Sequence, residues 1–182
     1  MKRNRFLALL LLGLVTIAGC DKPVTPGPAG VVSEVDPIRG HLLHAQPKLP
    51  TIKVRVNDQE LIAEIAQRQV EIATGMMFRT NMPENEAMLF VFPGSAPRSF
   101  YMRNCIVPLS GAYINPQGEV LQIIKMEPHN EIGINSTSDD VQFVLEVPQG
   151  WFERHHIGVG AVIQTERGSL HDTFFGKNPA GQ

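Results

Sequence analysis

The chain has 182 residues, 43% hydrophobic, 19% charged and 7% aromatic, with a formal net charge of −2. That apolar fraction excludes a disordered chain, and the near-neutral balance lacks the basic stripe that nucleic-acid binding needs. Two cysteines exclude a disulfide scaffold of the small secreted kind, and the length allows one domain with appendages.

Lys2, Arg3 and Arg5 form a positive opening, and Phe6 to Ile17 follow as twelve residues without a charge. A membrane-crossing helix needs about 20 residues, so this run reads as an export signal rather than as part of the fold. Ile17-Ala18-Gly19-Cys20 resembles the bacterial lipobox, which implies cleavage after residue 19 and lipidation of the Cys20 thiol. Acyl chains such as palmitate contribute about 0.8 kcal/mol per buried methylene, and two or more make a stable membrane anchor. Asp21 resembles the retention signal of enterobacterial inner-membrane lipoproteins. The expected location is the cell envelope, lipid-anchored and facing the periplasm. Cleavage takes three of the 16 basic side chains and leaves 13 against 18 acidic ones, a net charge of −5. Cys105 is then the only free thiol, so no internal disulfide can form.

Between Asp21 and Pro50 lie six of the 14 prolines, with Gly27, Gly30 and Gly40 among them. No apolar period survives there, and residues 20–50 read as a tether spanning roughly 30 Å as a coil. His41 and His44 fall within it and are expected to be solvated rather than metal ligands.

A domain is expected over residues 51–170. Ile52, Val54 and Val56 alternate with polar residues at strand period. Asn57-Asp58 suggests a turn, and Leu61 to Ala66 a returning strand. Gln67 to Thr74, stopped by Gly75, predicts a short helix. Ala87 to Phe92 reads as a buried strand, and Arg98 to Met102 as a further extended piece. Ser110 to Ile114 and Glu119 to Met126 flank the turn signature Asn115-Pro116-Gln117-Gly118. Val141 to Val147 alternates again, Trp151 to His156 suggests a helical turn, and Ala161 to Thr165 a last strand. His171 to Gln182 reads as a flexible tail. The pattern predicts a mainly β, β-rich α+β fold, a compact sandwich or barrel of about seven or eight short strands with one or two short helices.

No nucleophile elbow, zinc-binding HExxH, phosphate loop, dinucleotide fingerprint or CxxC is present. The methionines from Met76 onward could offer thioethers to Cu(I), yet Met76, Met77, Met88, Met102 and Met126 each sit beside Phe, Leu or Ile, as core residues do. On a strand, Phe100, Met102 and Asn104 would share one side. Asn104 then either satisfies loop backbone groups or, with Arg79, orients a ligand carboxylate or carbonyl at a pocket rim. Cys105 would need a histidine or helix terminus to become a nucleophile, and nothing local ties His129, His155 or His156 to it. Those histidines lack metal-ligand spacing.

Gly75-Met76-Met77-Phe78-Arg79, Met82-Pro83, Ala87-Met88-Leu89-Phe90-Val91-Phe92 and Phe100-Tyr101-Met102-Arg103-Asn104-Cys105 with Pro108-Leu109-Ser110 form linked blocks. Gly118-Glu119-Val120 and Val144-Leu145-Glu146-Val147-Pro148-Gln149-Gly150 continue them. Together they resemble the bacterial and archaeal family called domain of unknown function 192. The resemblance implies a compact β-rich domain, often exported, with no activity to carry over. Cys105 stands where that family usually has threonine, Ser110 aspartate, Ala87 glycine and Tyr101 tryptophan. Arg79, Met102 and Asn104 match, so a shared binding site would use them.

The leading expectation is a non-catalytic, membrane-tethered domain that binds a small ligand or a protein partner, with Arg79, Met102, Asn104 and Cys105 as the candidate site. It needs no cofactor or metal and no nucleic acid. The alternatives are a hydrolase-like envelope enzyme using Cys105 or Ser110, and a metal-handling protein using methionine and histidine.

Overall fold

A computed structural model describes residues 34–176 of the chain. Its first hairpin joins β1 (Thr51–Val56) to β2 (Gln59–Ala66), antiparallel through Asn57, which takes a φ of 53°. Asparagine is among the few side chains that tolerate this left-handed conformation. The short helix α1 (Gln69–Thr74) follows. Its Glu71 carboxylate accepts from the backbone amides of Gln67 and Arg68 at 3.0 and 2.8 Å, which satisfies donors that a helix start leaves open. Gly75 ends it at φ 48°, and a Cβ there would sit 3.2 Å from the Phe90 ring. The helix lets β3 (Glu86–Ala96) run parallel to β2, as a parallel pair requires a crossover.

Next come β4 (Ser99–Phe100), β5 (Leu109–Ile114), β6 (Val120–Met126), β7 (Ile134–Asn135) and β8 (Val141–Pro148). The helix α2 (Trp151–Arg154), strands β9 (Ile163–Thr165) and β10 (Gly168–Ser169), and helix α3 (Leu170–Phe175) complete the described chain. Eight strands form one mixed sheet in the order β10-β9-β1-β2-β3-β8-β5-β6, while β4 and β7 pair separately as a ribbon. The β5–β6 turn is the one the sequence predicts: the Asn115 side-chain oxygen accepts from Gln117 and Glu119 at 3.0 and 2.9 Å.

The β-rich expectation holds, with ten strands and three short helices among the described residues. The sandwich-or-barrel expectation is corrected to one curled sheet that is not closed by a continuous ladder. Its margins meet only at the isolated bridge Glu119↔Val162 and at nearby bonds such as Ile163 N to Gly118 O, 2.8 Å. Gly118 makes that approach possible, since a Cβ there would lie 2.6 Å from the Ile163 carbonyl oxygen.

Both faces of the sheet are buried. Alternate residues of a strand point to opposite faces, so Ala87, Leu89 and Val91 join one core with Phe143, Leu145, Val147, Trp151, Phe152 and Leu170. Met88, Phe90 and Phe92 join a second core with Met76, Met77, Met102, Cys105, Tyr113 and Val144. The β4–β7 ribbon lies over this second face. Phe100 packs edge-on against Phe90 and Tyr113, and the Tyr113 hydroxyl donates to the Ile134 carbonyl.

Two expectations about the ends of the domain are corrected. Residues 34–50 are not free tether: Leu42 N donates to Thr74 Oγ1 at 2.9 Å, and Gln46 Nε2 donates to the Glu71 and Gly75 carbonyls at 3.2 and 2.9 Å. The carbonyls at the end of α1 need donors, and this segment brings them from outside the helix. His41 is buried at 2% exposure with Nδ1 against the Leu42 carbonyl, whereas His44 stays exposed as expected. The tail begins with α3, not coil. Ser169 Oγ caps it by accepting from Asp172 N at 3.0 Å, and Phe174 and Phe175 lean on Phe143. The export signal, Cys20 and Asp21 lie outside the described residues, as do residues 177–182. No described helix is long and apolar enough to cross a membrane.

Candidate functional site

On β8, Phe143, Leu145 and Val147 face the first core and Val144 the second, so Glu146, two residues further on, faces the second as well. Glu146 is held there by ladders on both sides, opposite Met88 of β3 and Gly111 of β5. It lines a cavity of about 320 Å³. The walls come from the end of α1 with Met76 and Met77, from Phe90 and Phe92 of β3, and from Phe100, Tyr101 and Cys105; Arg98 stands at the rim.

Glu146 is 5% exposed and its Oε2 has no hydrogen-bond partner. Burial alone pushes its carboxyl up to about 8, because a carboxylate removed from water without a partner is costly. At neutral pH it is therefore mostly an uncharged acid, able to donate one hydrogen bond into the cavity and accept others. Burial, with a smaller contribution from Glu146, pushes the Cys105 thiol up to about 12. Tyr113, below the ribbon, is also pushed up to about 12, chiefly by burial.

The four expected site residues do not converge. Cys105 lines the cavity. Met102 is 2% exposed within the second core. Asn104 stands behind the Met77 wall, its Nδ2 3.9 Å from Met77 Sδ and its carbonyl accepting from Phe78 N at 2.8 Å. The expected strand through Asn104 is corrected: β4 stops at Phe100, and Asn104 lies in a turn with φ 54°. Arg79 is elsewhere. Its guanidinium grips both Glu64 oxygens at 2.6 and 2.8 Å and reaches the Pro47 carbonyl at 3.3 Å. Burial raises the Glu64 carboxyl, but Arg79 and the Leu49 amide more than offset this and hold it below the usual carboxylate range.

Neither proposed nucleophile has an activating base. A thiol near 12 is almost never thiolate at neutral pH. Ser110 Oγ is occupied in accepting from Gly150 N at 3.0 Å, and no described histidine ring bonds either group. Native Cys105 is expected to resist iodoacetamide at neutral pH and to react only as the chain unfolds. Rapid alkylation of the folded protein, followed by mass spectrometry, would return it to the candidates for catalysis. Among the described residues no three His, Cys, Asp or Glu side chains come together as a metal site. The methionines are core: Met88 and Met126 are fully buried, and Met76 and Met77 are 3 and 4% exposed in the cavity wall.

Sequence reasoning missed Glu146 and Arg98. Their signal was present but ambiguous: Glu146 sits on the polar-looking side of an alternating strand, the pattern of a sheet with one wet face.

Two solved structures share the architecture. One, described as a "putative transcription regulator" from Sinorhizobium meliloti 1021, is 26% identical with a TM-score of 0.63, covering 66% of this chain and 98% of its own. Another, a protein of unknown function from Novosphingobium aromaticivorans DSM 12444, is 26% identical with a TM-score of 0.61, covering 71% of this chain and 90% of its own. No curated protein matches. The linked blocks read in the sequence fall within a match over residues 52–165, and the chain belongs to the family DUF192, "Uncharacterized ACR".

Proposed function

We propose that this chain is a non-catalytic binding domain of the cell envelope, tethered by lipid on Cys20 and retained at the inner membrane by Asp21, and that its cavity holds a small, largely apolar ligand. One observation carries the reading: Glu146, buried and with an unpartnered carboxyl oxygen, lines a cavity walled by Phe90, Phe92, Phe100, Met76 and Met77. Buried polar atoms in folded proteins are nearly always bonded, so an orphan oxygen on a residue that lines a space of ligand size points to a group that arrives from outside. The raised Cys105 thiol and the occupied Ser110 hydroxyl give the hydrolase alternative no support.

The test is displacement by filling. 1-Octanol is expected to raise the melting temperature of the full chain and to lose that effect in Ala73→Phe, which puts a ring where Ala73 lines the cavity. A shift of equal size in the filled variant, or none in the unmodified chain, would count against the cavity as a binding site.

A further inference from the structure

The cavity is polar at two ends and apolar between them. Glu146 lies opposite Met88, Val144 opposite Phe90, and Val141 opposite Ala96 near the far end of β3. The four strand steps from Met88, opposite Glu146, to Phe92 span roughly 13 Å at about 3.3 Å per residue. Glu146 Oε2 waits at one end without a partner.

At the other end the Arg98 guanidinium carbon lies 3.8 Å from the centroid of the Phe92 ring. Its Nη2 donates to the Gly94 carbonyl at 2.6 Å and its Nε to the Val141 carbonyl at 3.4 Å. Both acceptors are neutral, and Arg98 has no ion-pair partner among the described residues. Arg79, Arg103 and Arg154 each have a glutamate, and the arginines that, like Arg98, lack one (Arg39, Arg55 and Arg167) are exposed to water. Arg98 is half-buried, and desolvation lowers its basicity. A cation in that position carries a cost that an incoming anion would relieve.

We propose that the cavity selects an organic anion with one charge: an apolar body on Phe90 and Phe92, a carboxylate head on Arg98, and an uncharged far end at Glu146. This rests on the reading of the cavity as a ligand site. The guanidinium, set over the Phe92 ring, bonds through Nε and Nη2 and leaves Nη1 unbonded among the described residues, and its fork geometry suits a carboxylate. At the inner end an acid without a cationic neighbour offers a hydrogen bond to a hydroxyl or carbonyl group. It disfavours a second carboxylate, since two acids brought together in a dry site cannot both ionise.

Isothermal titration of the full chain with octanoate, 1-octanol, octylammonium and octanedioate tests this. Octanoate is expected to bind about tenfold more tightly than 1-octanol, the ratio that one charge-assisted bond supplies. Octylammonium and octanedioate are expected to bind more weakly than 1-octanol. Arg98→Gln is expected to erase the octanoate advantage and leave 1-octanol unchanged, while Arg98→Lys keeps part of it. Should the glutamine variant fail to fold, the ranking in the unmodified chain decides. Equal affinity for octanoate and 1-octanol would overturn the anion inference and leave the cavity reading standing. Silence from every probe would overturn both.

Discussion

Glu146→Gln is expected to abolish a fall in folding stability that the unmodified chain shows between about pH 5 and pH 8. Burial raises this carboxyl from an ordinary 4.5 to about 8. Between those values the folded chain keeps a proton that the unfolded chain releases, so stability drops as pH rises. The contribution is fully present below the ordinary carboxylate range and gone above the raised value. Each pH unit is worth about 1.4 kcal/mol, so the whole interval amounts to something on the order of 5 kcal/mol. An amide has nearly the same shape and no proton to lose. The variant should match the parent near pH 5 and exceed it at pH 8, where the parent holds a buried anion or pays to avoid one. Urea midpoints across that range check it, and histidine titrations, common to both proteins, cancel in the difference. Parallel profiles for the two proteins would contradict a raised carboxyl.

Arg79→Ala should cost about 3–5 kcal/mol, the range for removing one member of a buried ion pair and leaving its partner's charge uncompensated. Glu64 is 6% exposed and accepts three bonds, two from Arg79 and one from the Leu49 amide at 2.7 Å. The pair fastens the loop after α1 to β2 and to residues 47–49. Replacing both members together, as Arg79→Met with Glu64→Leu, should recover most of the loss. An Arg79→Ala protein as stable as its parent would mean that this guanidinium is free for another purpose, as a rim residue would be. Stability by denaturant and 1-octanol binding by calorimetry, measured on the same variant, separate the two roles.

What the sequence made legible was local. The β1–β2 hairpin, the Gly75 stop and the Asn115 turn each depend on residues within a few positions of one another. Their side chains dictate backbone angles directly. What stayed hidden depends on distant partners. His41 reads as linker because the α1 groups that organise its segment lie some 30 residues on, as in the bond from Leu42 N to the Thr74 hydroxyl. Arg79 reads as a ligand-seeking cation until β2 places Glu64 beside it. Asn104 continues an apolar row on paper, but a left-handed turn takes it out of the strand. Glu146 carries the least local signal. Alternation in β8 is the same whether the polar side meets water or a second core, and only the ribbon and the α1 end, folded over that face, tell the two apart.

Glu146 is an uncharged acid at neutral pH because it is buried without a hydrogen-bond partner for one of its oxygens. Carbon-detected NMR titration of its side-chain carboxyl in the folded full chain measures this directly. The resonance is expected to hold its protonated position through pH 7 and to move around 8. A midpoint at the ordinary 4.5 would contradict it and would remove the reason for expecting a ligand there.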